Sequence, residues 1–68
     1  MVNVNALKEQ IEKSGMTMVF IAERAGILRE TLYNRLNEQG EFKASEITAL
    51  TKVLKLSRNE RDRIFFIE

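Results

Sequence analysis

The chain contains no proline and only three glycines, Gly15, Gly26 and Gly40. Proline removes an amide donor and clashes with the preceding helical turn, and glycine weakens a helix through backbone entropy. A chain without the first and with little of the second keeps long segments free to become helical. The glycines then act as punctuation, because helices commonly end where one residue turns left-handed. Between them the apolar residues recur at helical spacing rather than alternating.

Five helices follow from that spacing and from the capping residues. Leu7 and Ile11, at i,i+4, mark a first helix over about 5–14, which Gly15 ends. Thr17 is the expected N-cap of a second helix over about 18–25. Its apolar positions, Val19 or Phe20, Ile21, Ala22 and Ala25, imply a short, mostly buried helix. After Gly26 a third helix is predicted over about 28–38, with Leu28, Leu32 and Leu36 as its buried stripe and Gly40 as its stop. A fourth spans about 44–55, with Ile47, Leu50, Val53 and Leu54 on its apolar face and Phe42 tucked beside it. Ser57-Arg58-Asn59-Glu60 matches a capping box, in which serine and glutamate satisfy each other's free amides. It opens a fifth helix that runs through Ile64 to about residue 67. With no strand signal, repeat or linker, the expected fold class is all-α: one compact five-helix domain over residues 1–68.

Composition excludes several function classes. A hydrophobic content of 44% argues against disorder. Histidine and cysteine are absent and Asp62 is the sole aspartate, so acid–base pairs, nucleophile–base pairs and cysteine zinc sites lack their residues. No enzyme activity, metal, cofactor or small-molecule ligand is expected. The N-terminal MVNVNALKEQ does not read as a signal peptide, and the longest apolar runs, MVFIA and IFFI, are far too short to span a bilayer. A soluble, cytoplasmic protein without membrane contact is expected. The formal net charge of +1 is not the strongly basic balance usual for nucleic-acid binding, so any such function must arrange its charges locally.

The stretch AERAGILRETLYNRL places a single glycine between two helical segments. Two helices joined by about three or four residues, with glycine in the turn, form a helix-turn-helix motif. The small Ala22 allows close approach of the two helices, and Ile27, Leu32 and Leu36 would anchor the second on the core. Turning by about 100° per residue, Glu30, Asn34 and Asn37 then face away from the core, with Arg29 and Tyr33 on one shoulder.

Through MTMVFIAERAGILRETLYNRL and on into EFKASEITALTKVLKLSRNERDRIFF, the chain resembles the helix-turn-helix family of phage repressors and Cro proteins. It looks most like the small regulators of phages from Gram-positive bacteria. The resemblance implies a lambda-repressor-like domain that binds double-stranded operator DNA in a bacterial host cell, usually as a homodimer. It implies base contacts from Arg29, Glu30, Tyr33, Asn34 and Asn37. It implies backbone contacts from Thr17 and Met18 at the start of the second helix, and from Gly40, Phe42 and Lys43 in the loop after the third. Arginine suits guanine, asparagine suits adenine and glutamate suits cytosine. Two departures stand out. Leu28 occupies the recognition helix's N-cap, where the family commonly has serine or threonine; it is either buried or poised to touch a thymine methyl. Glu30 repels phosphate, and either selects cytosine or pairs with Arg29 or Asn34.

Other assignments stay open on the sequence. Arg24 and Arg35 suit either phosphate or ion pairs with Glu23 or Glu38. Lys52, Lys55, Arg58, Arg61 and Arg63 read as a solvated face. Ile64-Phe65-Phe66-Ile67 exceeds what one helix face can bury, so part fills the core and the remainder forms an apolar patch. A homodimer interface drawing on Phe65, Phe66 or Ile67 is expected. Two rival readings remain: the same fold as a protein-interaction module, and the N-terminal domain of a longer repressor.

Overall fold

The computed structural model describes residues 2–66. They form five α-helices and, among the described residues, no strand: α1 (Val4–Ser14), α2 (Met18–Ala25), α3 (Arg29–Leu36), α4 (Ala44–Val53) and α5 (Arg58–Phe65). The helices begin where side chains satisfy their first free amides. Asn3 accepts from the Ala6 N–H at 3.0 Å, which starts α1 one residue earlier than expected. Thr17 accepts from the Phe20 N–H at 3.1 Å, as its sequence position predicts. The Ser57–Glu60 box is complete: the Glu60 N–H donates to the Ser57 hydroxyl at 3.1 Å and the Ser57 N–H to the Glu60 carboxylate at 2.8 Å. The Asn3 N–H donates to the Ile64 carbonyl at 2.7 Å and ties the start of the chain to α5.

Three helices end in a Schellman motif, in which two amides fold back onto the last turn around one left-handed residue. After α2, Ile27 donates to Ala22 (2.9 Å) and Gly26 to Glu23 (3.3 Å), with Gly26 at φ 70°. After α3, Gln39 donates to Asn34 (2.8 Å) and Glu38 to Arg35 (3.0 Å), with Glu38 at φ 62°. After α4, Leu56 donates to Thr51 (3.0 Å) and Lys55 to Lys52 (3.2 Å), with Lys55 at φ 54°. Only the first uses glycine. Without that marker the sequence extends α3 and α4 up to the very residues that turn left-handed, so both helices end two residues earlier than expected. Gly40, at φ 80°, lies beyond the stop of α3 rather than forming it.

The core is one cluster to which every helix contributes a pair: Leu7 and Ile11, Ile21 and Ala22, Leu32 and Leu36, Leu50 and the adjoining Leu54, Ile64 and Phe65. Leu56 joins from the α4–α5 connection, and among the described residues no polar or charged side chain is buried with them. α2 packs on both α3 and α4, and α1 on α5. Phe42 is half-buried, edge-on to Phe65 with centroids 5.4 Å apart. Ile27, Ile47 and Val53 only flank the cluster.

Burial differs from expectation at three places. α2 buries Ile21 and Ala22 alone, and leaves Val19 and Phe20 exposed on the opposite side. Leu28 is 76% exposed and does not belong to the leucine stripe of α3. It precedes the helix in extended backbone (φ −61°, ψ 137°), so the 100° rotation that aligns Leu32 with Leu36 does not apply to it. Phe65 is in the core, which removes it from any surface patch, whereas Phe66 is 55% exposed. Ile67 lies outside the described residues.

Two measurements test these assignments. Left-handed backbone costs a residue with a Cβ about 1–2 kcal/mol, and glycine's greater freedom when unfolded offsets about 0.4–1 kcal/mol of that. Glu38→Gly and Lys55→Gly should therefore each raise the unfolding free energy in urea by about 0.5–1 kcal/mol. Gly26→Ala should lower it by a similar amount, since an added Cβ meets nothing within 4 Å and backbone strain is the sole cost. Unchanged midpoints in all three variants would refute the left-handed geometry. The second measurement concerns acid. The Ser57 backbone N–H, then the Ser57 side chain, hold the Glu60 carboxyl below its ordinary value. A depressed carboxylate adds stability above its unfolded pKa and loses it as pH falls through the folded one. Thermal melts between about pH 6 and pH 3 should thus show a shallower acid decline for Glu60→Gln than for the unaltered protein.

Candidate nucleic-acid interface

α3 is held by a narrow contact. Leu32 and Leu36 are its only buried residues. Arg35 supplies the other attachment: its Nε lies 3.4 Å from the Glu46 carboxylate of α4, with both side chains largely covered. The same Glu46 oxygen accepts from the Lys43 N–H at 2.9 Å and so also closes the first turn of α4. Arg35 Nη1 donates to the Gln39 carbonyl at 3.3 Å. Its guanidinium lies over Gly40, where a Cβ would collide with it. Arg35 therefore pairs with Glu46 rather than with Glu38, and it fixes the loop between α3 and α4.

With that side committed, the rest of α3 is open. Arg29, Glu30 and Asn37 are exposed, Tyr33 is 46% exposed and Asn34 is half-buried. At 100° per residue the four positions inside the helix, Arg29, Glu30, Tyr33 and Asn34, span an arc of about 140°, so α3 carries these sequence-predicted residues on one face. Asn37 sits at the end of that face as the helix's C-cap, its N–H bonded to the carbonyls of Tyr33 and Asn34. Among the described residues no side-chain hydrogen bond engages Arg29, Glu30, Tyr33, Asn34 or Asn37. Glu30 therefore pairs with neither Arg29 nor Asn34. The set offers a guanidinium, a carboxylate, a phenol and two amides.

The flanking residues divide by what remains free. Thr17 is exposed; its oxygen caps α2, which leaves the hydroxyl proton to donate. Met18 is half-buried against the core, so its side chain is turned away and its contribution is the free amide of a first helical turn. Gly40 and Lys43 are exposed. The Lys43 amide is already taken by Glu46, and the ammonium is what it presents. Phe42 packs edge-on against Phe65 and is half-buried, so its ring is partly committed to the core.

A cleft of about 350 Å³, which neither periodicity nor motif announces, lies between the α2–α3 turn and the start of α4. Gly26, Leu28, Thr31, Lys43 and Ser45 line it, and Arg35 and Glu46 close it. Ser45, exposed in the first turn of α4, is the residue a search for free helix-terminal amides would have found. Charge here is nearly balanced: Arg29 and Lys43 stand against Glu30 and the exposed Glu38 and Glu41 of the adjoining loop. Comparison of the chain with protein-family models, with curated proteins and with solved structures gives no match.

Leu28 offers a direct test. It occupies the N-cap of α3 without a side-chain cap bond. Leu28→Ser should stabilise the fold by about 1 kcal/mol by supplying the missing acceptor. If Leu28 serves a surface contact, the same change should weaken binding at that surface. A destabilised Leu28→Ser would contradict the exposed, uncapped geometry.

Proposed function

We propose that the chain is a non-catalytic, sequence-specific double-stranded DNA-binding regulator of the lambda-repressor-like helix-turn-helix class, acting as a Cro-like repressor. The observation that carries this reading is α3 itself. Two leucines and one ion pair fasten it, and its other side presents the exposed Arg29, Glu30 and Tyr33 with the half-buried Asn34 beside them. In this reading α3 enters the major groove, where those groups match guanine, cytosine and adenine edges. The start of α2 and the loop around Gly40–Lys43 lie along the phosphates and set the register, which base contacts alone do not do. Occlusion of polymerase at the operator would give repression.

The near-balanced charge of the face supports a division of labour. Phosphate attraction is the sequence-independent share of affinity and grows with the number of cations engaged. With Arg35 committed to Glu46, few cations remain beside α3, so discrimination rests on base edges. Two subunits would read half-sites about one helical turn apart. The exposed Phe66, with the Arg61 guanidinium 5.7 Å from its ring, supports an apolar contact between subunits at the end of α5.

Selection of bound duplexes from a randomised pool at near-physiological salt tests the reading. A two-fold symmetric enriched site is the expected outcome. On that site Arg29→Ala should cost about 1–3 kcal/mol and relax preference at one base pair per half-site. Absence of any enriched sequence with folded protein would overturn the function, and an asymmetric single half-site would overturn the dimer.

A further inference from the structure

A second cleft, of about 380 Å³, opens where α2 meets the end of α4. Phe20 and Arg24 of α2, Lys52 of α4 and Lys55 just beyond its end line it, together with Met16 and Val53. Three cations line it and no carboxylate does; Glu23, the nearest acidic residue in sequence, is not part of the lining. Among the described residues, Arg24, Lys52 and Lys55 make no ion pair, the two pairs present being Arg35–Glu46 and Arg61–Asp62. Phe20 is 43% exposed with the Arg24 guanidinium 5.4 Å from its ring centre. That stacking steadies the guanidinium and leaves its outer edge free to take a carboxylate on two bonds. Lys55 holds its place in left-handed backbone, where glycine would cost less. Among the described residues no side-chain hydrogen bond or ion pair explains why a lysine stands there.

We propose that this cleft is a docking surface for an acidic protein segment that carries an apolar side chain. Charge complementarity selects the occupant: like charges crowded around one opening repel each other, and a carboxylate-bearing segment relieves them. The exposed ring of Phe20, with Met16 and Val53 behind it, calls for an apolar group on the same partner. A DNA backbone offers phosphate but no such group. The cleft also lies at the opposite end of α4 from Lys43, about 14 Å along the helix axis at 1.5 Å per residue, away from the α3 face. This surface is independent of the reading of α3 as a DNA reader, so either assignment can fail alone.

The test uses the full chain labelled with ¹⁵N at low salt, where exposed charge pairs are least screened. Three probes are compared: a synthetic peptide alternating glutamate with leucine and phenylalanine, an oligoglutamate of the same length, and a short non-cognate duplex. The apolar acidic peptide is expected to shift the amides of Phe20, Arg24, Lys52 and Lys55 and to bind at least about tenfold tighter than oligoglutamate. The double variant Lys52→Glu, Lys55→Glu alters two exposed side chains and should weaken the peptide about tenfold or more while sparing any duplex-induced shifts on α3. Equal binding of oligoglutamate would reduce the cleft to a counterion site and overturn the proposal. Larger shifts at the Arg24, Lys52 and Lys55 amides with the duplex would make it a phosphate surface and overturn it as well; the Phe20 amide, bonded to Thr17 of the proposed phosphate-contacting set, is left out of that comparison. So would the absence of shifts at about 1 mM peptide.

Discussion

The attachment of α3 to the rest of the molecule governs everything the candidate interface can do. It consists of Leu32, Leu36 and the Arg35–Glu46 pair, and each acts on a different degree of freedom. The leucines, one turn apart, fix which side of the helix is inward, because burying both allows one rotation. Arg35 fixes the end of the helix against α4 and, through Gln39 and the space above Gly40, the path of the loop that follows. Glu46 accepts from both Arg35 and the Lys43 amide, so one carboxylate joins the end of α3 to the start of α4. A mostly covered pair of this kind leaves each partner costly to remove, since the survivor would be stranded without its counter-charge. The rigidity of the presented face thus rests on few groups, which suits a domain too small to commit many.

The turn before α3 is fixed by a different economy. The Ile27 amide bonds to the Ala22 carbonyl, and Gly26 makes the left-handed step that allows it. Ala22 is buried there, and its single methyl lets α2 serve as packing surface for both α3 and α4. The consequence is that α2 has little side chain left to bury. Val19 and Phe20 end in solvent although both are strongly apolar. A short helix between two neighbours can cover one narrow stripe, and whatever is apolar outside that stripe becomes surface available to other molecules.

The same physics explains what the sequence makes legible. Caps with a specific side-chain acceptor, at Thr17 and Ser57, read directly, because a local hydrogen bond sets them. The i,i+4 pairs Leu7–Ile11, Leu32–Leu36 and Leu50–Leu54 read directly, because period alone decides them. The helix ends at Glu38 and Lys55 do not, because residues with a Cβ turn left-handed there only under the pull of the surrounding chain. Leu28 illustrates the limit of periodicity: one residue outside the helix, its apolar character says nothing of its direction. Arg35 illustrates another, since its partner Glu46 is eleven residues on and belongs to a different helix. The polar face of α3 was legible as a set; the cleft at Ser45, made by two elements meeting, was not.

The distribution of free charge gives the last step. Near α3, Arg35 is taken by Glu46, and Arg29 and Lys43 face three carboxylates. At the other end of α4, three cations surround an exposed phenylalanine with no carboxylate among them. A protein relying on general phosphate attraction would gain most by moving those cations toward α3, because each engaged cation adds to sequence-independent affinity. In the proposed role, that arrangement would hold the protein on any DNA and compete with the cognate site. Under that proposal, an α3 near neutrality would make affinity depend on the hydrogen bonds that differ between bases, and Glu30 would sharpen this by penalising approach wherever its carboxylate found no donor. The cations placed elsewhere still hold the formal net charge at +1 and remain unpaired for a different kind of contact. The chain's near-zero balance, which at the level of composition argues against nucleic-acid binding, is therefore compatible with it once the charges are located on the fold.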